Sequence, residues 1–302
     1  TINRRYRMLK HAYLIMAHED TLVLRRLIQL LDNENNCIYI HIDRNSRFRD
    51  TSQIQQLVKK AKLTIYQKYK VYWGTNSITL AEIFLLKKAI KSGSHYYHFL
   101  SGADLPIKKQ SEIQNFFERN KGKEFIHFGT EQYQKDIASR YTPYHFFTRQ
   151  LGRKREKKFW VDMEMYSLAI QRRLHIDRTK RKAYSFYGGA NWCSITAELA
   201  QYIVQHYGKY KGAFRWTQIS DELVWQTIVM DSPYCENLYK IGKNNDYTAC
   251  ARYIDWNRGT PYVFRTEDFP DLMRAEECMF ARKFDEKVDK EIIEKLYQTL
   301  IQ

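Results

Sequence analysis

Acids, histidines and cations recur in this chain at the ends of short apolar runs. His18-Glu19-Asp20 follows the run at 11–17, Asp43-Arg44 follows 37–42, and Ser101-Gly102-Ala103-Asp104 follows the aromatic run at 96–100. A fourth group, Ser220-Asp221-Glu222, opens an apolar stretch of helical character. Carboxylates so placed can accept a proton or hold a metal, and cations beside them can hold an anion. Each also has a purely structural use. Asp104 serves equally well as the N-cap of the segment beyond it, and Ser220 or Asp221 caps the helix behind it, with both acids on the positive end of the helix dipole. A lone histidine such as His18 is more often structural than ligand-binding. Three such endings on one sheet edge nevertheless look like a nucleotide pocket, because ligands collect beyond the carboxyl ends of parallel strands. Two adjacent acids in a first turn also leave one of them facing the cleft.

The elements that position these groups can be read from hydrophobic periodicity. Residues 11–17, 37–42, 63–66 and 96–100 read as buried strands, and helical spacing at 21–32, 51–61 and 76–92 separates them. That alternation predicts a doubly wound, mostly parallel sheet. A helix at 111–119 and a strand at 124–128 follow. Paired Gly188-Gly189 lead into a short apolar strand, then come helices at 197–207 and from Ser220, a strand at 251–256 and a final helix at 288–301. No internal repeat or low-complexity linker divides the chain.

Composition narrows the function classes. With 302 residues, 44% hydrophobic and 15% aromatic, the chain can bury a full α/β core. Its 23 tyrosines suit amphipathic partners such as sugars, since a ring can stack while its hydroxyl stays wet. The formal charge of +16 predicts an anionic partner: nucleic acid, an anionic membrane or a phosphorylated substrate. Zinc-finger spacing, RNP-type motifs and a Walker loop are all missing, which weakens a nucleic-acid-binding role. The five cysteines are odd in number and never in C-x-x-C spacing, so they read as reduced thiols rather than a disulfide frame or metal site. No run of about 18 apolar residues is present to span a bilayer. From Arg149 to Lys182 there are 12 Lys/Arg against 4 Asp/Glu, flanking the aromatic, helix-like stretch 159–170. Such a stretch is what an interfacial membrane helix needs, and equally what a solvated basic face around a buried helix looks like.

Several segments, in order, resemble the core-2/I-branching β-1,6-N-acetylglucosaminyltransferases, a family related to peptide O-xylosyltransferases. They are Ala12–His18, Ile40–Arg44, Tyr72-Trp73-Gly74, Phe99–Lys108, Gly188–Trp192, Asp221-Glu222, Arg252–Trp256 and Phe280–Asp285. The resemblance implies a GT-A-like, Rossmann-like α/β fold: one catalytic domain over 1–302, with a nucleotide-sugar-binding half at 1–130 and an acceptor and catalytic half at 131–302. It implies inverting transfer of a sugar, N-acetylglucosamine or alternatively xylose, from a UDP-sugar to a glycan hydroxyl. By residue matching, Glu222 is the general base. Arg265 and Lys283 clamp the diphosphate, and His18, Asp43, Arg44, Trp73 and Asp104 belong to the donor pocket. Asp221 and Trp256 lie on the acceptor side. Many GT-A enzymes hold a metal through Asp-x-Asp, but here Asp43-Arg44-Asn45 lacks the second acid. The resemblance therefore implies no metal and no cofactor. Because the animal members are anchored and rich in disulfides, the cysteine pattern points to a bacterial-type enzyme in the cytoplasm, peripheral to the inner membrane face. Its expected partners are a UDP-sugar donor, a glycan or lipid-linked glycan acceptor of polysaccharide or glycolipid synthesis, and an anionic membrane, not nucleic acid.

Overall fold

The computed structural model describes residues 9–180 and 182–301. Residues 1–8, 181 and 302, which the single-domain expectation includes, lie outside the described residues, as does Arg181 of the basic stretch. The first part is built from β1 (His11–Ala17), α1 (Leu22–Leu30), β2 (Asn36–Ile42), α2 (Ser52–Gln56), β3 (Lys62–Tyr66), α3 (Ser77–Ala89) and β4 (Tyr96–Ser101). Then come β5 (Asp104–Pro106), α4 (Gln110–Arg119), α5 (Glu131–Asp136), α6 (Thr148–Leu151) and α7 (Lys158–Arg173). The remainder holds β6 (Ser194–Thr196), α8 (Ala197–Phe214), α9 (Asp221–Met230), β7 (Arg252–Ile254), α10 (Phe269–Arg274), β8 (Phe280–Arg282) and α11 (Lys290–Leu300).

The main sheet runs β3-β2-β1-β4-β6, parallel except for the antiparallel β6. This is the α/β architecture expected, a mostly parallel sheet flanked by helices. The side-chain period of two along β1 fills both faces. Tyr13, Ile15 and Ala17 join a core with α1 and α11, while Ala12 and Leu14 face a second core with α3, α8 and α9. Burial of Ile15 and of Leu14 each contributes about 1.5–3 kcal/mol.

A second sheet, β5-β8-β7, pairs a strand from the first half of the chain with two from near its carboxyl end. Buried Arg252 of β7 fastens it to the first, donating to the carbonyls of Cys193 at 3.0 Å and Phe99 at 3.3 Å. Arg252 Nη1 also reaches Ser194 Oγ at 3.1 Å, and from there a buried polar chain continues to His98 (2.8 Å) and His11 (2.7 Å).

Three expected elements differ. The helix expected at 197–207 runs on to Phe214. The helix from residue 51 stops at Gln56, because the Asp32 carboxylate takes the N–H groups of Lys59, Lys60 and Ala61, each at 2.8 Å. Residues 124–128 make only isolated bridges: Glu124 pairs with the 237–239 segment and Phe125 with Ser194, so the segment crosses between neighbours instead of lying along one. Among the described residues no helix is long and apolar enough to cross a membrane.

Candidate active site

The carboxyl ends of β1, β2 and β4 are stitched together by backbone. Ala17 O accepts the Asp43 N–H at 2.8 Å, and Met16 O accepts the Gly102 N–H at 2.9 Å. His18, Asp43 and Arg44 therefore share one rim with the Ser101–Asp104 turn. Asp43 Oδ1 accepts from the N–H groups of Asn45 at 2.8 Å and Val71 at 2.9 Å, which orders the 69–74 loop, while Arg44 remains exposed. The loop continues to Trp73, 46% exposed, and to Gly74, whose carbonyl accepts the Ile219 N–H at 2.7 Å. Trp73 thereby stands beside the start of α9.

Asp104 caps no helix. It lies buried in β5, where Oδ2 accepts the Ser101 N–H at 2.7 Å and Oδ1 accepts Ser101 Oγ at 3.0 Å and Arg282 Nη1 at 2.7 Å. Its charge is spent on bracing Arg282, whose guanidinium sits 4.6 Å above the Trp192 ring. Strand pairing sets Arg282 opposite Asp104, and the Phe264 N–H donates to Lys283 O at 3.0 Å. Arg265 and Lys283 are thus brought to adjacent backbone at the same rim. Neither side chain forms an ion pair among the described residues. Asp104 is paired with Arg282 and Asp268 with Arg258, which leaves the Arg265 and Lys283 side chains without an acidic partner among the described residues, a seat for an anion.

The expected capping role of Ser220 and Asp221 is not what holds α9. Ser220 Oγ turns sideways to Thr79 Oγ1 at 2.9 Å, and no side chain caps the helix. Glu222, in the first turn, is gripped instead: Oε2 accepts Arg140 Nη1 at 2.6 Å and the Tyr133 hydroxyl at 3.0 Å. One oxygen is anchored while the side chain keeps 34% of its exposure, the arrangement a general base needs. The paired glycines position it, since the Gly189 N–H donates to Glu222 O at 2.9 Å. A Cβ on Gly189 would lie 2.0 Å from the backbone oxygen of His127, so only glycine fits there, while one on Gly188 would press on the end of the Ile137 side chain at 2.1 Å. The same strip ends at Trp192 under Arg282, joining the acid to the cation cluster.

Asp221 lies beneath, its Oδ1 without a hydrogen-bond partner. Burial, with the Glu222 charge beside it, pushes its carboxyl up to about 7. Glu82 is buried next to it, accepting Asn191 Nδ2 at 2.8 Å, and burial together with the Asp221 charge raises its carboxyl well above the ordinary range. Trp256, 46% exposed, stands past β7, whose Ile254 pairs with Arg282, so it lies on the far side of the cations. Among the described residues no group of three or more His, Cys, Asp or Glu could hold a metal ion.

Of the residues named from the sequence, His18, Asp43, Arg44 and Asp104 share the edge of the main sheet, and Arg265 and Lys283 lie on adjacent backbone beside β8. Asp221 and Glu222 open α9 with Trp73 beside them, and Trp256 stands apart past β7. Reading the sequence missed Arg140, Tyr133, Arg282 and Trp192. The Arg282-Lys283 tandem and the tryptophan after the glycines were visible signals, whereas Arg140 and Tyr133 carry none.

Comparison with known proteins bears on the whole chain. Xylosyltransferase 2 of Rattus norvegicus is 22% identical over 307 residues, covering 95% of this chain and 33% of the relative. Xylosyltransferase 1 of Homo sapiens is 23% identical over 304 residues, covering 94% of this chain and 30% of the relative. The chain thus spans about a third of the length of the curated relatives it matches. Among solved structures, the apo form of mouse xyloside xylosyltransferase 1 aligns over 90% of this chain and 96% of that one, at 11% identity and a TM-score of 0.37. The profile of the Core-2/I-Branching enzymes ("Branch") matches residues 11–279, which takes in the site residues from His18 to Arg265 and leaves out Arg282 and Lys283. By that match the chain belongs to the core-2/I-branching enzyme family.

Proposed function

We propose that the chain is an inverting glycosyltransferase that moves a sugar from a UDP-sugar to a glycan hydroxyl without a resident metal. The observation that carries the reading is Glu222, anchored through one oxygen to Arg140 and joined by the Gly188–Trp192 strip to the Arg265, Arg282 and Lys283 cluster. In this reading Glu222 takes the proton of the acceptor hydroxyl as its oxygen attacks the anomeric carbon. The bond to UDP breaks on the opposite face, and the electron pair leaves with the diphosphate. Arg265 and Lys283 meet that growing charge, with Arg282 behind them, in the role a metal plays in enzymes with Asp-x-Asp. His18, Asp43, Arg44 and Trp73 would surround the nucleotide, and Asp221 and Trp256 the acceptor. Asp104 would shape the donor pocket through Arg282.

The donor is N-acetylglucosamine or xylose. The names of the relatives favour xylose as much as the family resemblance favours N-acetylglucosamine. A glycan or lipid-linked glycan acceptor would place the reaction in polysaccharide or glycolipid synthesis.

A panel of UDP-sugars tests this by thermal shift and by UDP release, with and without EDTA. A donor at about 100 times its Kd should stabilise the fold by about 2.7 kcal/mol. UDP should also stabilise, and one sugar nucleotide should release UDP slowly to water, all unchanged by EDTA. Release abolished by EDTA would remove the metal-free clause, and no response to any UDP compound would sink the whole reading.

A further inference from the structure

Helix α7 leaves an unusual number of large apolar side chains in solvent. The face it turns to the rest of the chain mixes Trp160, packed on Phe147, and Leu168 with buried polar anchors. Buried Glu164 accepts His145 Nδ1 at 2.6 Å, and buried Gln171 brackets Tyr144, taking its N–H at 2.7 Å and donating to its carbonyl at 2.9 Å. A hollow of about 570 Å³ lined by Glu164, Leu168 and Gln171 runs along this side, so the helix is held by hydrogen bonds more than by a core. Along one flank of the outward side, beside exposed Asp162 and Arg173, runs an apolar stripe. Phe159, Met163, Tyr166, Ile170 and Leu174 follow i, i+4, i+7, i+11, i+15, one face of a helix. Phe159 is 64% exposed, Tyr166 67% and Leu174 65%.

Cations ring this stripe. Arg153, Lys154, Arg155, Lys157 and Lys158 lie exposed at its amino end, and Arg172 and Arg173 at its carboxyl end. We propose that α7 docks this protein on an anionic lipid surface, with the stripe at the boundary of headgroups and acyl chains and the cations on lipid phosphates. Charge chooses the occupant. A second copy would bring the same cations into contact with these, on a chain of formal charge +16. A nucleic acid would satisfy the cations but leave Phe159, Ile170 and Leu174 in water. A lipid surface satisfies both. The helix is tied through His145 Nε2 to Ser139 O at 2.9 Å, one residue from the Arg140 that grips Glu222, so docking would hold the acid's side of the site near the membrane. The docking stands on its own observations, whether or not the chain transfers sugar.

Flotation of the full chain with phosphatidylcholine vesicles, with and without about one-third phosphatidylglycerol, tests it. The protein should partition onto anionic vesicles at least ~10-fold more strongly than onto neutral ones, and lose that advantage between ~0.1 M and ~0.5 M salt. Phe159→Ser/Tyr166→Ser/Leu174→Ser should weaken partition at least ~10-fold even at low salt. Its melting temperature should stay unchanged, because the substituted side chains face outward. Reversing Arg153, Lys154, Arg155, Lys157 and Lys158 to Glu should abolish the preference for anionic vesicles. Failure of the wild type to float, or equal flotation of the triple variant, would overturn the proposal. So would a solution dimer dissolved by the three serines, which would assign the face to a second copy, or a duplex oligonucleotide that binds with the same loss on serine substitution.

Discussion

Arg140 Nη1 lies 2.6 Å from Glu222 Oε2, across 82 residues of chain. The pair is partly exposed, so it contributes about 1 kcal/mol or less to stability. Its weight falls on geometry, since it turns one oxygen of the acid inward and leaves the other for a substrate. Arg140→Ala should therefore lower turnover by about 10²-fold, the cost of a small misplacement of a reacting group. Binding of UDP, measured by calorimetry, should stay within about twofold, because the cation cluster is untouched. A variant that loses UDP affinity and keeps turnover would assign Arg140 to the donor instead.

Asp104 and Arg282 form the opposite kind of pair, with the acid almost wholly buried. Arg282→Ala strands a buried carboxylate and should cost about 3–5 kcal/mol in chemical denaturation, as well as weakening UDP binding. Asp104→Asn keeps hydrogen bonds to Ser101 and should cost less. Equal and small losses for both would mean that the pair is solvated.

Asp221 titrates close to the acid it flanks. With its carboxyl at about 7, it is neutral below that pH and adds a negative charge beside Glu222 above it. The rate profile should show an inflection near 7, and Asp221→Asn should erase that inflection while leaving the rest of the profile. An unchanged profile in the variant would trace the inflection to another group.

Buried neutral groups should limit stability on both sides of neutrality. Burial holds His11 at about 3 and His127 at about 4, so when folded they refuse protons that the unfolded chain binds from 6.5 downward. Their contribution is complete above 6.5 and drains as pH falls toward those values. Glu124 is pushed up to about 8 by burial, whereas its unfolded carboxyl ionises at 4.5, so its contribution is complete below 4.5 and is lost as pH rises through 8. The melting temperature should fall on either side of a maximum at about pH 5–7, and Glu124→Gln should flatten the alkaline limb by a few kcal/mol. Identical alkaline limbs in the two proteins would show that Glu124 is ionised in the fold.

What was legible in the sequence follows from how local each signal is. The runs that became β1, β2 and β4 are buried on both faces, and such strands announce themselves by unbroken apolar residues. Their polar endings marked His18, Asp43 and Asp104, and the family motifs added Glu222, Arg265 and Lys283. Arg140 stayed hidden because its partner lies 82 residues away in a segment without periodicity, and the Asp104–Arg282 pair spans 178. The segment at 124–128 looked like a strand because its side chains are buried, yet its hydrogen bonds are divided between two neighbours. Helix α7 was expected as a basic, aromatic helix, but only the buried Glu164 and Gln171 reveal which face looks outward.

The central claim rests on Glu222, and one substitution tests it most directly. Glu222→Gln keeps shape and most hydrogen bonds while removing the basic oxygen. With the UDP-sugar that the wild type uses, transfer should fall by about 10²–10⁴-fold, while calorimetric affinity for UDP stays within about twofold. Turnover within about tenfold of the wild type, at equal UDP affinity, would contradict the assignment of Glu222 as the base.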